Sequence, residues 1–77
     1  EGHPKIGRSL ASYGGSRQEA GDAESAEPLL IEAYNVLSAA GETESARATA
    51  GRLMKLYDGL GREQDAQLWR VRADQTR

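Results

Sequence analysis

The chain has 77 residues, 38% hydrophobic and 29% charged, with a formal net charge of −2, no cysteine and a single histidine. That length sets one compact domain burying roughly 60–65% of the surface its unfolded form exposes, and the lack of thiols excludes a disulfide framework or a thiolate metal site. Residues 1–40 carry three basic and six acidic groups and residues 41–77 seven and six, so neither half offers the clustered positive stripe that nucleic acid selects.

The longest strictly apolar run, Leu29-Leu30-Ile31, is far short of the roughly 20 residues of a membrane-spanning helix. A soluble, cytoplasmic chain without cofactor or metal is the expectation, since the missing cysteines suit a reducing compartment. No signal-like stretch opens the sequence, which begins at Glu1 and reads as a segment of a longer protein.

Residues 1–5 read as a linker, with Pro4 pre-set for a helical first turn. A first helix is expected from about Pro4 to Ala20. Ile6, Leu10 and Tyr13 share one face of it at period 3.6. Gly14-Gly15 interrupts this helix, and interior glycine costs about 1 kcal/mol against alanine. Close approach of a neighbouring helix is the expected compensation.

Gly21 suits a left-handed helix end, and Asp22 supplies an N-cap oxygen for the next helix. That second helix, about Ala23 to Ala40, puts Ala26, Leu30, Ala33 and Leu37 on one stripe, widened by Leu29 and Tyr34. Pro28 lies about a turn inside it and predicts a bend or a loose first turn.

Gly41 closes the second helix, and Thr43 is the expected N-cap of a third running to about Gly59. Its inner stripe is Ala46, Ala50, Leu53 and Tyr57. After Gly61, a fourth helix from Glu63 to Gln75 presents Ala66, Trp69 and Ala73 on an otherwise polar surface, with Leu68 and Val71 isolated. Such a surface suits a helix that ends a stack. Four helices with short turns predict two antiparallel helical hairpins.

The turn-and-helix stretch at residues 20–34 has an echo forty residues later, where Gly21, Ala26 and Ala33 return as Gly61, Ala66 and Ala73. The residues resemble the tetratricopeptide repeat family, with its Trp-x2-Leu-Gly-x2-Tyr and Ala-x3-Phe pattern. In the first unit the pattern falls on Leu10, Tyr13, Gly14, Arg17, Ala26 and Leu30. In the second it falls on Ala50, Leu53, Met54, Tyr57, Ala66 and Arg70, and the later alanine falls on Ala33 and Ala73. Arg17, Met54 and Arg70 depart from it.

The forty-residue spacing exceeds the usual 34 and is similar to the kinesin-light-chain-like branch, as is the stretch Ala-Glu-Pro-Leu-Leu-Ile-Glu-Ala-Tyr. The ending Leu-Tyr-Asp-Gly-Leu-Gly-Arg resembles the last repeat of long bacterial arrays, some appended to serine/threonine kinases. The resemblance implies an all-α right-handed superhelical stack: linker 1–5, one repeat over 6–40, and a second over 41–77 ending in a polar capping helix. It implies a non-catalytic scaffold that binds a protein or peptide in a concave groove, contacting neither nucleic acid nor membrane. The groove would present Arg8, Ser12 and Gly15 from the first helix and Arg52 and Lys55 from the third, and its three cations suit a carboxylate or acidic segment. A solvated charged face is the alternative for these residues. For the whole chain the alternatives are self-association through the exposed first repeat, giving a homo-oligomer, or a regulatory tail of a larger enzyme.

Catalysis is not expected. Ser9, Ser12, Ser16, Ser25, Ser38 and Ser45 have no histidine partner but His3, which lies in the linker. Asp22, Glu24 and Glu27 crowd a helix start, where the macrodipole favours acids. Gly14-Gly15 lacks the Lys-Ser/Thr of a phosphate loop. Tyr13, Tyr34, Tyr57 and Trp69 are expected to pack between helices rather than form a ligand cage. Asn35 is the only asparagine, so the asparagine-based clamp on a C-terminal carboxylate used by some branches of the resembled family is not expected.

Overall fold

Three glycines spaced twenty residues apart, Gly21, Gly41 and Gly61, fix where helices stop. Their φ angles are 83°, 77° and 74°, a left-handed conformation that glycine adopts without the Cβ clash met by other residues. The Gly21 amide donates to the Gln18 carbonyl at 3.0 Å, and the Asp22 amide to Arg17 at 2.8 Å. Gly41 and Glu42 repeat this pair with Ser38 and Leu37, and Gly61 and Arg62 repeat it with Asp58 and Tyr57. Each closure satisfies carbonyls that a helix end otherwise leaves orphaned.

The computed structural model describes residues 4–75, so His3 lies outside the described residues. The elements are α1 (Pro4–Glu19), α2 (Ala23–Ala39), α3 (Thr43–Leu60) and α4 (Glu63–Gln75). The ends differ from expectation by one residue at Ala20, Ala40 and Gly59. α1 packs on α2 and α3 on α4, α2 packs on α3, and α1 touches α3 lightly. The Cα envelope of 33 × 25 × 14 Å is a slab about two helices thick.

The residue after each glycine sits at the next helix start, and its side chain decides how that start is stabilised. Asp22 caps α2, accepting from the Ser25 amide at 3.3 Å and pairing with Arg17 at 2.9 Å. The Ser25 and Arg17 hydrogen bonds hold its carboxyl below the ordinary 3.8. At the start of α3 the expected Thr43 cap is replaced: Glu42 occupies the N-cap position without a side-chain capping bond, and Thr43 is the first helical residue. The longer Glu42 side chain reaches Arg8 of α1 instead, at 3.2 Å. α2 runs unbroken through Pro28. Pro28 and Glu24 are both exposed, so the Glu24 carbonyl that proline deprives of its helical donor belongs to the solvent side of the helix.

The core joins α2, α3 and α4 through Ala26, Leu30, Ala50, Leu53, Leu56, Tyr57, Trp69 and Ala73, with Ile31, Tyr34, Met54 and Ala66 packed against it. Ala33, Leu37 and Ala46 are also fully buried. Trp69 meets Tyr34 edge-on, with centroids 5.0 Å apart at 85°, and the Arg72 guanidinium stacks over its ring at 4.6 Å. These aromatics pack as expected.

α1 differs, because its apolar stripe faces outward. Ile6 is 53% and Tyr13 58% exposed, so Tyr13 does not pack between helices; Leu10 is half-buried. The face turned inward holds Gly7, Gly14 and Gly15, all buried. A Cβ on Gly7 would stand 2.8 Å from Leu37, and one on Gly14 2.9 Å from Leu30. Both distances are closer than carbon atoms approach without displacement. Absence of side chains therefore lets α1 sit against two fully buried leucines of α2, which is the compensation expected for the helical glycines.

Candidate functional site

α1 and α3 lie side by side with little direct contact, and the space between them forms an open trough. One part is lined by Arg8, Ala11, Ser12, Ser45, Ala48 and Arg52; the next by Gln18, Glu19, Ala48, Gly51, Arg52 and Lys55. Ala48 and Arg52 belong to both, which makes the two parts continuous. Small residues along the floor, Ala11, Ala48 and Gly51, are what leave the trough open. Such an open channel, with charged side chains along a lining of mixed polar and apolar surface, suits an extended chain rather than an enclosed small molecule, whose sites are concave and largely apolar.

The structure brings the sequence-predicted residues Arg8, Ser12, Arg52 and Lys55 to this trough. Their charges are not equivalent. Arg8 is paired with Glu42 at 3.2 Å, so its charge is partly answered. Arg52 and Lys55 are exposed and form no side-chain ion pair among the described residues. Glu19 is the acidic member of the lining. Gly15, expected in the groove, is buried beneath Arg52: a Cβ there would stand 2.8 Å from the guanidinium. The missing side chain is what allows Arg52 to lie across α1.

Gln18 is the trough residue that periodicity does not reveal. Its side-chain amide donates to the Arg52 carbonyl at 2.9 Å and ties the end of α1 to the middle of α3. Its Oε1 is buried without a partner among the described residues. No sequence signal distinguishes this glutamine from solvated ones, because the tie depends on a carbonyl thirty-four residues away.

On the opposite side of α3, Tyr57 donates to the Glu27 carboxylate at 2.6 Å. Arg62 pairs with Glu27 at 3.6 Å and with Asp65 at 2.8 Å, and stacks over the Tyr57 ring at 4.7 Å. Burial and then the Glu27 hydrogen bond push the Tyr57 phenol up to about 12. This network locks α2, α3 and α4 together and lies away from the trough.

Among the described residues no helix is long and apolar enough to cross a membrane, and no group of three His, Cys, Asp or Glu side chains could hold a metal ion. Comparison with family models, curated proteins and solved structures found no match to this chain.

Proposed function

We propose that this chain is a non-catalytic protein-interaction module of the tetratricopeptide type, two helical hairpins in a right-handed stack, and that its α1–α3 trough receives an extended acidic segment of a partner protein. The observation that carries the assignment is the pair Arg52 and Lys55, two cations set along one channel without an acidic partner among the described residues. Carboxylates approaching there gain charge-assisted hydrogen bonds without first breaking an ion pair. Arg8 and Ser12 extend the polar lining toward the start of α1.

The repeat assignment is supported by the three identical glycine closures and by the burial of Ala26, Leu30, Ala33, Leu53, Tyr57, Trp69 and Ala73. Leu10 and Tyr13 remain on the open side of α1. The test is titration of labelled extended peptides, acidic and neutral, against the wild-type chain and an Arg52→Glu/Lys55→Glu variant. Selective binding of acidic peptides that falls about tenfold or more in the variant supports the groove. Equal binding by both proteins removes it.

A further inference from the structure

The outward face of α1 has an internal counterpart that says what it is shaped to receive. The turns at Gly21 and Gly61 are closed by equivalent hydrogen bonds, so a shift of forty residues carries α1 onto α3. Under that shift Ile6, Ser9, Leu10 and Tyr13 fall on Ala46, Thr49, Ala50 and Leu53, each no more than 2% exposed. In the second hairpin α3 packs on α2, with Ala50 and Leu53 of that face in one buried cluster with Ala26 and Leu30. In the first the same face is open, forming a shallow apolar depression lined by Lys5, Ile6, Ser9, Leu10 and Tyr13.

The same shift places Arg17 where Tyr57 stands. Tyr57 meets the carboxylate of Glu27 on the helix that covers α3, so Arg17, with its side chain 40% exposed and paired with Asp22 at 2.9 Å, stands where a helix covering α1 would bring an acidic residue to share its guanidinium. Lys5 adds a second base at the other end of the face. This chain's own α4 is a poor candidate for that helix. It carries Arg70 where α2 has the fully buried Leu30 and Asp74 where α2 has Tyr34. Head-to-tail stacking of copies would bury that arginine in an apolar seam. α2 of a second copy is already spent on its own core.

We propose that the Ile6–Leu10–Tyr13 face of α1 docks an amphipathic helix of a partner, antiparallel to α1, with an Ala/Leu stripe like that of α2 and an acidic residue set against Arg17. This site is independent of the α1–α3 trough. The probe is a labelled peptide of residues 23–39 carrying Pro28→Ala to favour helix, titrated by fluorescence anisotropy against the 77-residue chain. The variants are Ile6→Gln/Tyr13→Gln and Arg17→Gln, both at exposed or half-exposed positions and checked by circular dichroism.

The peptide is expected to bind the wild-type chain and to lose about tenfold or more against Ile6→Gln/Tyr13→Gln. A further Glu27→Gln change in the peptide is expected to weaken binding about threefold to wild type and not at all to Arg17→Gln. No binding at about 1 mM peptide, binding unaffected by Ile6→Gln/Tyr13→Gln, or a Glu27→Gln effect that persists in Arg17→Gln overturns the assignment. So does a dimer in sedimentation velocity that Ile6→Gln/Tyr13→Gln abolishes, because the occupant is then a second copy.

Discussion

Tyr57 of α3 donates its phenol proton to the Glu27 carboxylate of α2 at 2.6 Å, across thirty residues of sequence. The bond spans the joint between the two hairpins, and Arg62 answers the same carboxylate from the turn before α4. Tyr57→Phe keeps the ring and removes the donor. It is expected to destabilise the chain by about 1 kcal/mol at neutral pH, measured by urea unfolding.

The same phenol predicts an alkaline limit. Its proton is lost near 10 in the unfolded chain and near 12 in the folded one, so the folded state holds the proton more tightly. The stabilisation is complete below pH 10 and is lost as pH rises toward 12. Stability measured across that window should fall less steeply in Tyr57→Phe than in wild type.

At the acid end the sign reverses for Asp22, whose folded carboxyl titrates below the ordinary 3.8 because of Ser25 and Arg17. Its contribution is present above that value and is lost as pH falls through the lower folded one. Asp22→Ala is expected to lower the melting temperature at pH 7 through the lost cap. Thermal melts should show the difference from wild type shrinking as acid protonates the native carboxyl.

Two helical glycines should respond in opposite directions to alanine. Gly14→Ala drives a Cβ to 2.9 Å from the Leu30 side chain, which is fully buried and cannot swing away. Overpacking of this kind costs about 1–3 kcal/mol. Gly51 has no atom within 4 Å of its would-be Cβ, so Gly51→Ala should stabilise by about 0.5–1 kcal/mol through helix propensity. Chemical denaturation of the two variants decides; two changes of the same sign would contradict the α1–α2 contact.

Helix positions and turns were legible in the sequence because capping and glycine chemistry are local. Gly21, Gly41 and Gly61 end helices wherever they occur, and the stripes of α2 and α3 are continuous. The facing of α1 was not legible. Hydropathy period places Ile6, Leu10 and Tyr13 together but does not say which neighbour covers them. The face that packs on α2 is centred on Gly7 and Gly14, and glycines carry little hydropathy signal. Of the trough, the cations were legible as off-stripe charges, whereas the pairing of Arg8 with Glu42 and the tie from Gln18 to the Arg52 carbonyl join residues thirty-four apart. Thr43 failed as a cap because the glycine closure assigns the N-cap position to the residue directly after Gly41.

Trp69 anchors α4, being 3% exposed, edge-on to Tyr34 and under Arg72. Trp69→Ala should cost about 3–5 kcal/mol, which in a domain this small removes most of the stability. Circular dichroism is expected to show loss of the cooperative melt.

The most direct test of the interaction role is an amide chemical-shift map of the isotope-labelled chain titrated with an extended acidic peptide. Shifts concentrated at Arg8, Ser12, Gln18, Gly51, Arg52 and Lys55, and absent in Arg52→Glu/Lys55→Glu, are predicted. Shifts scattered over the surface, confined to the outer face of α4, or missing altogether would contradict it.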